Sequence, residues 1–241
     1  MSIQQMFLGV SAGGLNPDAN GDYLVLAMPL NSDYGDADVS NEINSGSTTK
    51  TITTNGNAAA SNAQYKFYDS SYYFDGTGDY LTVADNADFE FDGDFTLECF
   101  VYLTSTTHWT GFFGKRATPQ EYGPFSFYTN AGATILQFVG STNGSSWALD
   151  LNGSASYPIP INTWKHIAAA RSGSTLKIFV DGYESASGTL SGTLHNNNRD
   201  LLIGAGSSDG SNLVNGYLQD VRIYKGVAKY TASFTPPGSI A

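Results

Sequence analysis

The stretch that decides the fold of this chain is Trp164-Lys165-His166-Ile167-Ala168, followed after a short gap by Leu176-Lys177-Ile178-Phe179-Val180-Asp181-Gly182. Leu176, Ile178 and Val180 recur at every second position, which is the period of a strand with one buried face. An Asp-Gly pair directly after such a run is typical of a two-residue type I′ turn. The stretch therefore predicts an antiparallel hairpin that turns at Asp181-Gly182.

The same pattern of short strands and turn residues extends along most of the chain. From Tyr65 onward, short β-prone segments alternate with Gly, Asn, Asp and Ser, and no segment keeps a 3.6-residue apolar period over helical length. At most one helical turn fits, over 224–230. Earlier, an apolar run at 24–30 predicts a first strand, and 49–53 is also β-prone. The other predicted strands are 72–74, 80–83, 95–103, 111–115, 125–128, 135–139, 147–151, 164–171, 175–180, 182–187, 201–204 and 218–224. An all-β sandwich is therefore expected.

Composition agrees with that fold class and excludes several functions. The 241 residues include 27 Gly, 15 Tyr and 14 Phe, while charged residues make up only 14%. The net charge is −11 and the 11 Lys and Arg do not cluster, so nucleic acid and anionic membranes are poor partners. No run approaches the roughly 20 apolar residues of a membrane span. The N-terminus lacks Lys and Arg, so it is a weak signal peptide at best.

Two further blocks accompany the hairpin. The first is Phe74-Asp75-Gly76-Thr77-Gly78-Asp79-Tyr80-Leu81, and the second is Gly216-Tyr217-Leu218-Gln219-Asp220-Val221-Arg222-Ile223-Tyr224, followed by Phe234-Thr235-Pro236-Pro237. In this order the blocks resemble the laminin-G-like branch of the concanavalin A-like lectin/glucanase superfamily, over about residues 22–237. The resemblance implies an all-β jelly-roll sandwich of two antiparallel sheets, with ligands at its concave face or rim loops. We expect this sandwich over 22–241 and a short N-terminal arm over 1–21.

A narrower resemblance lies in the tail, 224–236. It is similar to versions of this domain that are common in bacteriophage virion proteins. That similarity implies a non-enzymatic virion structural protein, as a head decoration, fibre or tail adhesin, that binds host-surface glycans. Such a protein is made in the host cytoplasm without a signal peptide and leaves with the extracellular particle. A free carbohydrate-binding lectin module is the alternative, and a glycoside hydrolase is the third hypothesis.

The hydrolase hypothesis requires two close carboxylates. In the enzymes that this chain resembles, they alternate on one strand as Glu-x-Asp-x-Glu. The nearest approach here is Glu90-Phe91-Asp92-Gly93-Asp94, whose third acidic position is Asp and whose Gly93 predicts a turn. The three histidines share no metal-ligand spacing, and His166 is predicted to be a packed, hydrogen-bonded residue. The sequence therefore predicts no catalytic residue.

For glycan binding, the candidate residues are aromatic side chains carried by predicted loops, with Trp147 also the first residue of the predicted strand 147–151. Trp109, Tyr122 and Trp147 each lie among Thr, Ser, Gly, Gln or Asn, whose side chains can hydrogen-bond to a sugar. The alternative is that Trp109 and Trp147 close the two ends of the core, because Trp is highly buried on average.

Calcium is the one cofactor that the sequence suggests. Asp75 and Asp79 flank a Gly-rich bend, and Asp220 approaches them if the last strand lies beside this block, as the resemblance implies. Carboxylates and backbone carbonyls are suitable ligands for calcium. The alternative is that Asp75 and Asp79 hydrogen-bond to their own turns while Asp220 pairs with Arg222 or a neighbouring loop.

The N-terminal arm carries one apolar patch, Met6, Phe7 and Leu8. It is too short to build a core, so we expect it to pack on another chain, either a symmetry mate or another virion protein. This interpretation predicts a homo-oligomer or multi-copy assembly. The single cysteine, Cys99, lies in an apolar run and is predicted to be buried and inert.

Overall fold

The computed structural model describes residues 18–31 and 50–237. Within these ranges the chain forms strands joined by turns, with single helical turns at Gly21–Tyr23 and Ala87–Phe89. The strands are β1 (Leu24–Met28), β2 (Ile52–Asn55), β3 (Ala59–Ser61), β4 (Ser71–Asp75), β5 (Tyr80–Val83), β6 (Phe95–Leu103), β7 (Thr110–Gly114), β8 (Phe125–Thr129), β9 (Leu136–Gly140), β10 (Leu149–Asn152), β11 (Lys165–Ser172), β12 (Thr175–Val180), β13 (Tyr183–Thr189), β14 (Leu201–Ile203) and β15 (Asn215–Lys225).

These strands make two antiparallel sheets, as predicted. The first sheet has the order β13-β12-β11-β6-β15-β4-β3, and β1 also pairs with β15. The second sheet has the order β10-β9-β8-β7-β14-β5-β2. Because side chains alternate across a strand, each sheet turns one apolar row toward the other. The phenylalanines of β7, β8 and β9 fill the space between the sheets with the leucines and isoleucines of β6, β11 and β15.

The long strand β15 pairs with two different strands along the same edge. Its first half pairs with β4 and its second half pairs with β1. The register shifts between Gln219 and Arg222, and Asp220 there has a φ of 53°. The buried Gln219 amide fills the gap: it accepts from the backbone N–H of Phe67 at 2.9 Å and donates to the carbonyl of Phe67 at 2.7 Å. The bulge therefore lets β15 pair with both β4 and β1 along the same edge.

The predicted hairpin turn is confirmed. Val180 pairs with Tyr183, and Asp181 and Gly182 have φ values of 49° and 78°, as a type I′ turn requires. A Cβ atom on Gly182 would lie 1.9 Å from the carbonyl oxygen of Phe234. Glycine is therefore required there both for its backbone conformation and for the close approach of the C-terminal segment.

That C-terminal segment lies across the outer face of the first sheet and forms no helical turn at 224–230. Lys229 donates to Glu98 at 2.7 Å, and the Tyr230 hydroxyl donates to the same carboxylate at 2.6 Å. His166 Nε2 lies 3.2 Å from Glu98, so the prediction of a packed, hydrogen-bonded His166 is confirmed. Although burial acts to raise it, Lys229 and His166 hold the pKa of Glu98 well below its usual value.

Asp18, within the predicted arm, also joins this buried network. Its carboxylate accepts a hydrogen bond from the Tyr224 hydroxyl at 2.5 Å and lies 3.4 Å from the ammonium of Lys229. The apolar patch of the arm, Met6, Phe7 and Leu8, lies outside the described residues, and its packing on another chain stays a prediction. No helix in the described ranges has the length and apolar character to cross a membrane.

The strand predictions differ from the structure mainly at ends and edges. β5, β6 and β12 begin and end where predicted, and most other predicted strands shift by one to three residues. The short edge strand β3 was not predicted, because its Ala-Ala-Ser sequence has weak β propensity. Its backbone is held in the sheet by pairing with β4, which is a tertiary effect.

Candidate functional site

Trp109, Tyr122 and Trp147 lie in three separate loops at the second sheet. Trp109 immediately precedes β7, whose first residue Thr110 pairs with Thr129 at the far end of β8. Tyr122 lies between β7 and β8, and Trp147 lies between β9 and β10. Tyr122 and Trp147 are therefore at one end of the β7–β8 hairpin and Trp109 is at the other.

Two residues that the sequence did not single out connect these ends. Phe125 and Phe127 of β8 point into the core, so Tyr128 points outward. Its ring lies 5.7 Å from the ring of Trp109, measured between centroids. The guanidinium of Arg116, just after β7, lies 5.7 Å from the ring centroid of Tyr128.

The row continues from Arg116 to the other end of the hairpin. Its guanidinium lies 5.9 Å from the ring centroid of Trp147, and the rings of Trp147 and Tyr122 meet edge to face at 5.0 Å. We call Trp109, Tyr128, Arg116, Trp147 and Tyr122 the aromatic strip. It follows the outer face of the second sheet for about the length of a five-residue strand, roughly 17 Å.

The rings at the two ends of the strip are accessible. Trp109 is 44% exposed and Tyr122 is 38% exposed, whereas Trp147 is half-buried. The interpretation of Trp109 and Trp147 as caps of the core therefore does not fit, because neither belongs to the core cluster. The strip offers flat apolar faces next to hydrogen-bonding groups.

Tyr128 and Arg116 form the buried middle of the strip. Burial raises the pKa of Tyr128 to about 12, and the Asp150 carboxylate adds to this while Arg116 opposes it. Arg116 is only 5% exposed. Its Nε donates to the carbonyl of Gly206 at 2.9 Å and its Nη1 donates to the carbonyl of Pro119 at 3.0 Å.

The loop that carries Tyr122 is fixed by polar contacts at its base. His195 Nε2 lies 2.8 Å from the carbonyl oxygen of Tyr122. Glu121 accepts from the backbone N–H of Ala117 at 2.5 Å and from Arg199 Nε at 2.7 Å. These contacts hold the exposed ring in place without covering it.

At the Trp109 end the strip reaches a cleft of about 350 Å³. Loops from both sheets form it, and Trp109 is its largest aromatic wall. Its polar walls include Ser105, Thr107, His108, Asn212 and Asn215. Ser105, Thr107 and His108 are neighbours of Trp109 in the chain, whereas Asn212 and Asn215 come from a segment about a hundred residues away. No local pattern predicts that these two asparagines lie beside Trp109.

The three candidate calcium ligands are not brought together. Both oxygens of Asp79 are in use: Oδ1 accepts from the backbone N–H of Asn57 at 2.7 Å and Oδ2 from that of Asp75 at 2.9 Å. Asp75 accepts from the backbone N–H of Thr77 at 2.7 Å, which closes its own turn. These contacts match the alternative in which the carboxylates stabilise local turns.

Asp220 lies elsewhere. Asn215 pairs with Asp75, and Asp220 is five residues further along β15, roughly 16 Å away at the usual strand rise. Its carboxylate accepts from Arg222 Nε at 2.7 Å. Among the residues that the structure describes, no group of three or more His, Cys, Asp or Glu side chains is placed to hold a metal ion. The geometry therefore gives no support to a calcium ion shared by Asp75, Asp79 and Asp220.

The acidic segment 90–94 is not part of a strand, as predicted. Glu90 accepts from the side-chain amide of Asn196 at 2.8 Å, and Asp94 accepts from the backbone N–H of Gly173 at 2.7 Å. These two carboxylates thus bind different loops rather than facing a common ligand. Cys99 is buried as predicted; burial, with Glu98 and Asp220 adding to it, raises the pKa of its thiol well above the usual value.

Comparison with known proteins identifies relatives of this fold. The sequence profile of the laminin G 3 domain, described as the concanavalin A-like lectin/glucanases superfamily, matches residues 75–229. No curated protein matches the sequence significantly. Among solved structures, domain 4 of AbnA, a GH43 extracellular arabinanase from Geobacillus stearothermophilus solved in complex with arabinotriose, is 21% identical, with a TM-score of 0.59. That match covers 86% of this chain and 94% of that one.

Toxin domains resemble this chain with similar TM-scores. The binding domain of Paraclostridial Mosquitocidal Protein 1 is 15% identical with a TM-score of 0.61, and the match covers 85% of this chain and 49% of that one. The ligand binding domain of botulinum neurotoxin serotype D, solved in complex with N-acetylneuraminic acid, is 11% identical with a TM-score of 0.60, covering 86% and 48%. This chain thus spans about half the length of these toxin domains, and the likeness shows the fold alone.

Proposed function

Because the chain belongs to the laminin G 3 domain family of the concanavalin A-like lectin/glucanases superfamily, we propose that it is a non-enzymatic domain that binds glycans along the aromatic strip. The observation that carries the proposal is the continuous row from Trp109 to Tyr122, with exposed rings at both ends. Fixed aromatic faces bind with little loss of conformational entropy, because a ring has only two side-chain torsions. Arabinotriose and N-acetylneuraminic acid in solved relatives of the same fold support a sugar as the ligand class.

The experiment that tests this proposal is a glycan array probed with the full chain, followed by titration of the best ligand. We expect saturable binding that is weakened in a Trp109→Ala variant. An array without any binder would contradict the proposal. Hydrolysis of a bound polysaccharide would contradict its non-enzymatic part.

We also propose that the domain is displayed on a bacteriophage virion, as a head decoration, fibre or tail adhesin that contacts host-surface glycans. The support is the sequence of the tail, 224–236, which resembles phage versions of this domain. Other virion proteins would be its partners through Met6, Phe7 and Leu8. The localisation is then the extracellular particle. Mass spectrometry of purified virions tests this: we expect the chain at stoichiometric level, and its absence would contradict the proposal.

The role of the arm has its own test. Deleting residues 1–14 should leave the melting temperature of the sandwich nearly unchanged and prevent incorporation into particles. Each large apolar side chain buried in a contact contributes about 1.5–3 kcal/mol before the costs of association. Normal incorporation of the truncated protein would show that attachment occurs through the sandwich instead.

A free carbohydrate-binding module is the second candidate. It is favoured by the extent of the match to the arabinanase domain, which covers 94% of that domain, whereas only about half of each toxin domain is matched. The two candidate functions share the glycan site. They differ in whether the domain is attached to a virion or is a free module. Glycan binding by a protein that is absent from virions would favour the free module.

A further inference from the structure

Arg116 is a cation for which the fold provides no carboxylate partner. Among the described residues, neither a hydrogen bond nor an ion pair joins it to an acidic side chain; its side-chain hydrogen bonds go to the carbonyls of Gly206 and Pro119. Asp209 and Glu121 act on it only through space, and its burial lowers its pKa. A guanidinium held in this way keeps its charge, since arginine is effectively always protonated. Among the other buried lysines and arginines that the structure describes, Lys50, Lys115 and Arg222 have carboxylate partners. Arg171, like Arg116, donates only to backbone carbonyls, those of Gly173 and Gly192.

The same residue borders a second cleft, of about 230 Å³, on the outer face of the second sheet. Its polar walls are Arg116, Arg199, Thr82, Asn198, Asp200 and Ser208. Two arginines therefore line one small cleft, together with residues that carry hydroxyl and amide groups. Asp200 is the acidic member, and its carboxylate already accepts from the backbone N–H of Asp85 at 3.1 Å.

Arg199 is the second arginine that lines this cleft. Its Nε donates to Glu121 at 2.7 Å, while its side chain remains 45% exposed. Its terminal nitrogens donate to no group in the described part of the chain. Planar guanidinium groups with free donors suit carboxylate and sulfate groups, which accept two parallel hydrogen bonds.

We infer that the glycan bound by the aromatic strip is acidic, and that its carboxylate or sulfate group enters the cleft between Arg116 and Arg199. The inference rests on the proposed function, because Arg116 belongs to both the strip and the cleft. The Arg116 guanidinium lies 5.9 Å from the ring centroid of Trp147, so a sugar ring that stacks on Trp147 has its acidic substituent within reach of Arg116. The net charge of −11 does not prevent this, since exposed charges are screened beyond about 8 Å at physiological salt.

The experiment uses matched acidic and neutral ligands with the full chain. The probes are sialyllactose against lactose, and oligogalacturonate against its carboxyl-reduced product, both on the array and by titration. We expect at least one acidic member to bind roughly 10- to 100-fold more tightly than its neutral partner, the range given by hydrogen bonds to charged groups. If neutral members bind as tightly as acidic ones, the inference is overturned and the proposed function stands. If no glycan on the array binds, both are overturned.

Protein variants then test whether the preference for acidic glycans depends on this cleft. Arg199→Gln should reduce the acidic-to-neutral ratio by about tenfold, because it removes an exposed cation whose ion pair contributes little to folding. Lys177→Gln is the matched control: it changes the net charge equally and breaks a comparable surface pair with Glu184, 2.8 Å, on the first sheet. An acidic preference that survives Arg199→Gln, or that falls equally in Lys177→Gln, would overturn the inference.

Discussion

The rings of Tyr122 and Trp147 meet edge to face with their centroids 5.0 Å apart, although they belong to different hairpins of the second sheet. The contact exists because β8 pairs with β9, which places the β7–β8 loop beside the β9–β10 loop. Each ring therefore limits the motion of the other. This contact turns two loop residues into one rigid end of the aromatic strip.

We expect the substitutions Trp109→Ala and Trp147→Ala each to weaken glycan binding at least tenfold, because each removes an aromatic face from the strip. The melting temperature should change little for Trp109, which is 44% exposed. Titration with the best array ligand gives the affinities. Tyr183→Ala is the control, since Tyr183 is 59% exposed and stacks on Tyr157 away from the strip. Equal losses in all three variants would contradict a specific site.

The buried Glu98 should make stability depend on pH in the acidic range. Its pKa is held below the usual value, so the folded protein keeps it ionised where the unfolded chain, near pH 4.3, already takes up a proton. The unfolded state then binds more protons, so the free energy of unfolding falls as the pH is lowered from about 5. Asp18 in the same network shifts in the same direction.

The measurement is the melting temperature between pH 7 and pH 3.5. A Glu98→Gln variant should be less stable at pH 7 and should lose less stability on acidification than the unmodified protein. Glu184→Gln, which breaks a surface ion pair, should keep the original slope. If the melting temperature depends on pH equally in Glu98→Gln and in the unmodified protein, Glu98 is not the group that causes the loss of stability in acid.

Gly182→Ala should destabilise the protein by more than Gly173→Ala does. Both glycines have positive φ, 78° and 58°, so both variants carry the strain of a left-handed backbone, about 1 kcal/mol. Only Gly182 has a close neighbour, the Phe234 carbonyl at 1.9 Å from an added Cβ, while Gly173 has none within 4 Å. Chemical denaturation of both variants isolates the steric cost, and equal losses would mean that the C-terminal segment moves aside freely.

Chelation of divalent cations should leave the melting temperature unchanged. Asp79 uses both carboxylate oxygens for backbone N–H groups, and Asp220 is paired with Arg222. A melting curve with and without EDTA tests this. A decrease that calcium reverses would restore the sequence-based prediction of a calcium site, because an ion that binds only the folded state stabilises it by mass action.

Cys99 should react with Ellman's reagent only when the protein unfolds. The side chain is buried, and burial together with Glu98 and Asp220 raises the pKa of its thiol. Thiolate is the reactive form, so both access and ionisation are suppressed. The rate at pH 8 should rise by orders of magnitude on addition of denaturant. Rapid reaction of the native protein would indicate local opening of β6.

The sequence by itself determined the local features of this protein. Alternating apolar residues identified most of the strands, and the Asp181-Gly182 pair predicted the type I′ turn, because side-chain direction and backbone dihedral preferences are set by residues that are adjacent in the chain. The same reasoning placed Trp109 and Tyr122 in loops and Trp147 at the first residue of the predicted strand 147–151, and it predicted a buried Cys99 and a packed His166.

Only the tertiary structure decided which of these residues meet. Tyr128 and Arg116 join the three predicted aromatic residues because β7, β8 and β9 are neighbours in the second sheet, and no local pattern specifies that order. In the same way, the bulge in β15 directs Asp220 to Arg222 and away from Asp75. The cation pair of Arg116 and Arg199 joins positions 83 residues apart. Contacts of this kind depend on strand order and register, which are fixed by burial summed over the whole sandwich rather than by any one segment.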